Sequence, residues 1–289
     1  MPRARRIRVV GLNIATSPHS PEIYLGLFQR ARNAKIAGLM HGNRWGRIGS
    51  IASNPDANGL HFGRLNTFVD FDLKKPWLNT DTDDIAGIEQ VRAIQLPANL
   101  KPEYLPIEFA FHPGKHLLFI RAEKTGPTNL ERVIFNLLNH PRVNRGEQRV
   151  NVTVVQEESA LDRIFGIETL SRLRIVVSRP NPDDFEEFDA RLKERLAEQS
   201  ADQVTVELVG TDGLEPDETT KALAYVALKN GSVLGSGKRA DGLKVTESSL
   251  AHPRVIDEMW DPKKKETETD VFVRAIRKWP ARVAAKILR

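Results

Sequence analysis

The alternation of apolar and polar positions divides the chain into short strands and a few amphipathic helices. "RIRVVGLNIA" (6–15) reads as a strand, and "SPEIYLGLFQRARNAKIAGL" (20–39) as a helix capped by Ser20 with Pro21 at the first helical position. "RWGRIGSIA" and "GRLNTFVDFDL" have strand character and flank the turn-rich "SNPDANG", while residues 74–106 are proline- and aspartate-rich with little periodicity. "IEFAFHPGKHLLFIRAE" carries two apolar runs around Pro113-Gly114 and predicts a β-hairpin. The helix in "GPTNLERVIFNLLNHP" follows, with Thr128 and Glu131 spaced as a capping box and Leu130, Val133, Ile134, Leu137 and Leu138 on one face. "RVNVTVVQE" is a strand.

The same order returns downstream. "RLRIVVSRPN" predicts a strand, and "PDDFEEFDARLKERLAEQ" a helix capped by Asn181 with a stripe of Phe185, Phe188, Leu192 and Leu196. "QVTVELVG" predicts a further strand. The recurrence points to an α+β chain with two ferredoxin-like βαβ-containing units in mixed or antiparallel sheets. The expected boundaries are 1–165 with an irregular insertion at 74–106, 166–262, and a basic tail at 263–289. "DETTKALAYVALKN", "SVLGSGKRA" and "LKVTES" complete the second unit, and "DPKKKETETD" is a polar linker.

Composition changes this picture mainly through charge. The chain has 289 residues, 40% hydrophobic and 28% charged, within the range of globular domains. Its lack of cysteine excludes disulfides, thiolate metal sites and a cysteine nucleophile. Neither a signal sequence nor a membrane span is expected. The net charge of +5 is unevenly placed: Arg3, Arg5, Arg6 and Arg8 open the chain, and 263–289 holds nine basic residues, while the stretch between is mildly acidic. Basic ends on an acidic body point to a polyanion partner, nucleic acid first, or to solvated tails.

Candidate chemistry is sparse. "NGSVLGSGKRADG" (230–242) superficially resembles a phosphate loop, but Ser232 and Arg239 stand where that motif needs glycine and a hydroxyl residue. The expected alternative is a left-handed helix end at Asn230-Gly231 and a strand turning near Lys238 and Arg239, cations that can meet a nucleic-acid backbone. "RLNTFVDF" partly matches an RNA-recognition strand, with Arg64 and Phe68 on one face. His112 and His116 are four apart, but Pro113-Gly114 forbids the helix that would pair them on zinc; no metal or cofactor is expected. Asp70, Asp72, Asp81, Asp83 and Asp84 are the acids that a metal-dependent nuclease would draw on. The tail offers Arg274, Arg277, Lys278, Arg282 and Lys286 with an apolar side, fit for phosphates or a protein partner.

Several stretches, among them "VVGLNIATSPHSPEIYLGLFQRA", "RWGRIGSI", "GRLNTFVDFDLKKPWLNTDT", "FAFHPGKHLLF" and "GSVLGSGK", together resemble a bacterial family known as domain of unknown function 4747. The resemblance covers most of residues 7–262 and carries no catalytic motif. It implies a bacterial cytoplasmic protein with ties to mobile elements or phage defence. The expected function is binding of RNA or single strands. The alternatives are a metal-dependent phosphodiesterase and a non-catalytic assembly subunit docking through its tail.

Overall fold

The computed structural model describes residues 4–94, 97, 99–146, 149–178, 194, 196, 198, 199 and 201–279. In chain order the first part comprises β1 (Arg5–Ala15), α1 (Pro21–Asn33), β2 (Gly38–His41), β3 (Arg44–Ile51) and β4 (His61–Val69). The insertion holds the two-residue strands β5 (Leu78–Asn79) and β6 (Asp84–Ile85) and the short helix α2 (Ile88–Arg92). β7 (Leu105–His112), β8 (Leu117–Arg121), α3 (Pro127–Leu138) and β9 (Asn151–Val154) follow. The second part has α4 (Ser159–Phe165), β10 (Thr169–Ser178), β11 (Gln203–Val209), α5 (Glu218–Asn230), β12 (Gly231–Lys238) and β13 (Lys244–Ser248). β14 (Val255–Trp260) and α6 (Glu268–Arg277) close it.

Two antiparallel sheets carry the fold. The first has eight strands in the order β14-β1-β8-β7-β4-β3-β2, with β9 also paired to β1. β14 takes residues 5–10 of β1 and β9 takes residues 12–15. The second sheet runs β11-β10-β12-β13. Strands β8 and β9, joined by α3, both pair antiparallel with β1; β11 and β12, joined by α5, do the same with β10. Each sheet thus holds a crossover split by one intervening strand.

This corrects the expected second unit. β10 and β11 are direct antiparallel neighbours, from Arg172 opposite Val209 to Ser178 opposite Gln203, so no parallel βαβ joins them. Apolar alternation marks a strand but is blind to the direction of its partner. The predicted helix at 182–199, with Asn181, Phe185, Phe188 and Leu192, lies outside the described residues apart from a few positions, of which Leu196 is buried. β14, within the expected C-terminal unit, pairs with β1 of the first sheet.

Local chemistry sets the helix starts. Ser20 Oγ accepts from the Ile23 amide at 3.3 Å, and Pro21 occupies the first turn as expected. α3 begins one residue before the expected box: Gly126 caps it and Pro127, whose φ is already helical, takes the first position. Gly231 has φ 175°, so α5 passes into β12 through extended backbone rather than a left-handed cap.

One core lies between the inner face of the first sheet and α1 with α3, including Tyr24, Phe28, Phe109, Phe111 and Leu137. A second lies between the other sheet and α4 with α5. A third forms on the outer face of the first sheet, where Val271, Phe272, Ala275 and Ile276 of α6 pack on Ile7, Val9, Leu60 and Phe119. Burying each large side chain contributes roughly 1.5–3 kcal/mol, so α6 is a structural element rather than a loose tail. The two sheets meet at a polar seam: Asn13 Nδ2 donates to Asn230 Oδ1 at 2.7 Å, and Gln156 Nε2 to the Gly231 carbonyl at 2.7 Å. No described helix is long and apolar enough to cross a membrane.

Candidate nucleic-acid interface

The period of two along β3 and β4 sorts their side chains onto opposite faces. Leu65, Thr67 and Val69 of β4, with Gly46 and Ile48 of β3, face the inner core. An added Cβ at Gly46 would stand 2.8 Å from a methyl of Val133 on α3, so glycine lets the helix approach. Trp45, Arg47, Arg64, Asn66 and Phe68 take the outer face. Trp45 stands opposite Phe68 and Arg47 opposite Asn66. Arg64 is exposed, and the other four are half-buried. Tyr104, exposed at the end of the insertion, donates its hydroxyl to Asn66 Oδ1 at 3.3 Å. The structure therefore brings Arg64 and Phe68 onto one outer face, Arg64 exposed and Phe68 half-buried, and adds two residues that motif reading passed over. The signal for Trp45 and Arg47 was the alternation in "RWGR", whose pairing with β4 becomes visible only in three dimensions.

Beside Arg64 a cleft of about 310 Å³ opens, walled by Arg5, Arg6, Arg64, Arg121, Lys124 and the glutamates around Arg121. Arg121 bonds Glu108, Glu123 and Glu268, each at 2.9 Å. Although burial opposes its charge, these hydrogen bonds raise its pKa above the ordinary guanidinium value. Glu268 opens α6, where a negative charge also suits the helix dipole. Arg64 and Lys124 enter no ion pair among the described residues, and they are the cations this cleft leaves for an anion.

The basic ends are otherwise engaged. Arg5 pairs with Glu268 and its guanidinium lies 4.9 Å from the Trp260 ring. Arg8 meets Asp257 at 3.0 Å and Arg6 meets it at 3.6 Å. Arg274 pairs with Glu258 and Glu266, and Lys278 with Glu258. These contacts hold Glu258 below the usual carboxylate range, the bond from Lys278 contributing most. Arg274 and Lys278 are thus matched by carboxylates of β14 and the turn before α6, whereas Lys263, Lys264 and Lys265 are exposed and enter no ion pair among the described residues. Arg277 is exposed, near enough to Asp56 to help lower that residue's pKa. Arg282 and Lys286 lie outside the described residues.

The remaining candidates separate. Lys238 ends β12 opposite Lys244, and Arg239 follows at the tip of the hairpin, both exposed. The glycines before them serve packing: a Cβ at Gly235 would meet Ile164 at 2.6 Å and one at Gly237 the Thr169 carbonyl at 2.1 Å. His116 is buried, its ring 4.4 Å from that of His19 and 4.8 Å from that of Tyr24, whereas His112 sits over Gly59. Burial, first, and Lys115 lower the pKa of His112. Asp70 bonds Lys101 at 2.6 Å, Asp72 accepts from the Lys74 amide, and Asp84 from the Ile85 amide. Among the described residues no three histidine or carboxylate groups are arranged to hold a metal ion.

The family model described as "Domain of unknown function (DUF4747)" matches residues 5–277. No curated protein matches the chain.

Proposed function

The chain belongs to the DUF4747 family, and on that footing we propose that it binds single-stranded nucleic acid on the outer face of β3 and β4. The observation that supports this reading is the pair Trp45 and Phe68, opposite each other and half-buried on the outer face, with Arg47, Arg64 and Asn66 alongside. Bases stack on such rings irrespective of sequence, and arginine beside them meets phosphate or a base edge. The neighbouring cleft, with Arg64 and Lys124 on its wall, takes a phosphate as the strand leaves the rings. Arg5, Arg6, Arg8, Arg274 and Lys278 are left out of this grip, being already matched by carboxylates.

The test is fluorescence anisotropy with labelled oligouridine and oligothymidine. Each aromatic contact is worth about 1–3 kcal/mol by alanine substitution, so W45A and F68A each weaken binding about 5- to 150-fold. A W45A/F68A double variant that binds within about twofold of the parent overturns the reading.

A second reading, a subunit of a protein assembly, draws on the insertion rather than the tail. Leu78, Ile85, Ile88 and Leu100 are all exposed there, with Phe71 exposed just before it, an apolar concentration typical of contact surfaces. A chain that stays monomeric by light scattering and forms no stable complex on purification from its own host removes that reading.

A further inference from the structure

We propose that the open face of the second sheet is a clamp for the phosphate backbone, formed by Arg172, Arg174, Lys238 and Lys244. The proposal rests on the single-strand reading above and adds to it a second, electrostatic surface. The registers place all four on one face. Arg172 stands opposite Ser236, which stands opposite Thr246; one row away Lys238 stands opposite Lys244. Arg174 follows Arg172 two residues along β10 and faces Glu207. All four cations are exposed, while α4 and α5 cover the reverse face.

The electrostatics of this face are unresolved within the chain. Among the described residues Glu207 is the acid at the outer positions of these strands, and it pairs with Arg172 at 2.7 Å and is held below its ordinary pKa by that bond first. Arg174, Lys238 and Lys244 enter no ion pair among the described residues. Like charges directly opposite on antiparallel strands destabilise the pair, so Lys238 against Lys244 is a cost that a bound anion removes. Ser236 and Thr246, whose hydroxyl oxygens lie 3.1 Å apart, sit between the two cationic pairs and can donate to phosphate oxygens. Arg239, exposed at the hairpin tip, extends the same charge.

No aromatic residue stands on these strands' outer positions. Such a face grips phosphates without reading bases, and complements the rings of the first sheet. An anionic membrane is the competing polyanion. Its binding needs apolar insertion as well as charge, and among the described residues Val209, Leu243 and Leu250 are the exposed large apolar side chains on or beside these strands.

The experiment measures affinity for labelled oligothymidine and oligouridine across a salt series, for the parent, K238A/K244A, R174A and W45A/F68A. These cations are exposed, so the variants keep the parent's circular dichroism and urea midpoint. Each lost phosphate contact lowers the slope of log affinity on log salt by about 0.7 for single strands; K238A/K244A therefore loses about 1.4. W45A/F68A weakens binding at every salt and keeps the slope. An unchanged slope in K238A/K244A and R174A overturns the clamp and leaves the stacking face standing. A reduced slope with W45A/F68A unaffected leaves the clamp and removes the stacking face, and no binding by the parent removes both. Loss of binding to phosphatidylserine vesicles in K238A/K244A, with the oligonucleotide slope intact, reassigns the face to lipid.

Discussion

Replacing Phe272 by alanine tests whether the C-terminal helix is part of the fold. Phe272 is 1% exposed, lies in the cluster with Ile7, Val9 and Phe119, and meets the Phe62 ring edge-on at 6.5 Å. Buried Phe→Ala substitutions cost about 3–5 kcal/mol, the transfer term plus the cavity left behind. Against a typical stability of about 5–15 kcal/mol that loss is large. With an m-value near 3 kcal/mol per molar urea, the midpoint falls by about 1–1.7 M. Arg274→Ala on the same helix provides the contrast. Its ion pairs sit on a side chain 40% exposed, where such pairs are worth up to about 1 kcal/mol. Urea unfolding followed by circular dichroism and tryptophan fluorescence reads both. A loss in F272A no larger than in R274A refutes the packing argument and returns the helix to the status of a detachable tail. If the argument holds, cutting the chain after residue 262 unfolds it instead of merely weakening ligand binding.

Other outcomes follow from single contacts. Glu258, with its pKa lowered by Lys278 and Arg274, contributes stability above the ordinary value of 4.5 that is lost as the pH falls through the lowered one. E258Q is therefore less stable than the parent at neutral pH, and the difference closes in acid, as thermal melts over a pH series will show. In G231A the new Cβ would stand 1.9 Å from the Val176 carbonyl, a backbone clash that costs about 3 kcal/mol or breaks the β10–β12 register; a melt unchanged within 2 °C counts against that pairing. G26A has the opposite sign. Gly26 lies within α1 and its Cβ would meet the flexible end of Arg30 at 3.1 Å, so alanine stabilises by about 0.5–1 kcal/mol, and a lower midpoint would refute this.

Local signals were legible and distant ones were not. Ser20-Pro21, the apolar face of α3 and the hairpin across Pro113-Gly114 depend on neighbours within a few residues, and all appear in the structure. The shared face of Arg64 and Phe68 followed from strand alternation alone. The ion pairs of the basic ends were illegible because a run of like charge says nothing of its partners: Glu268 is 263 residues from Arg5, and Asp257 is 249 from Arg8. Strand direction failed for the same reason, since β10 and β11 look identical in sequence whether paired parallel or antiparallel. Trp45 gained its meaning only when β3 was laid against β4.

The polar seam has a practical side. The Arg254 amide donates to the Val155 carbonyl at 2.8 Å, and Gln156 bridges to Pro253. The chain therefore leaves the eight-stranded sheet and re-enters it at almost the same point, having built the four-stranded one in between. A short linker joining Val155 to Arg254 would excise the inserted lobe whole, leaving β14 and α6 in place on β1. Grafting the lobe elsewhere is equally direct, because its two ends already sit side by side. Stacking and charge can then be assigned to separate molecules rather than to point variants of one.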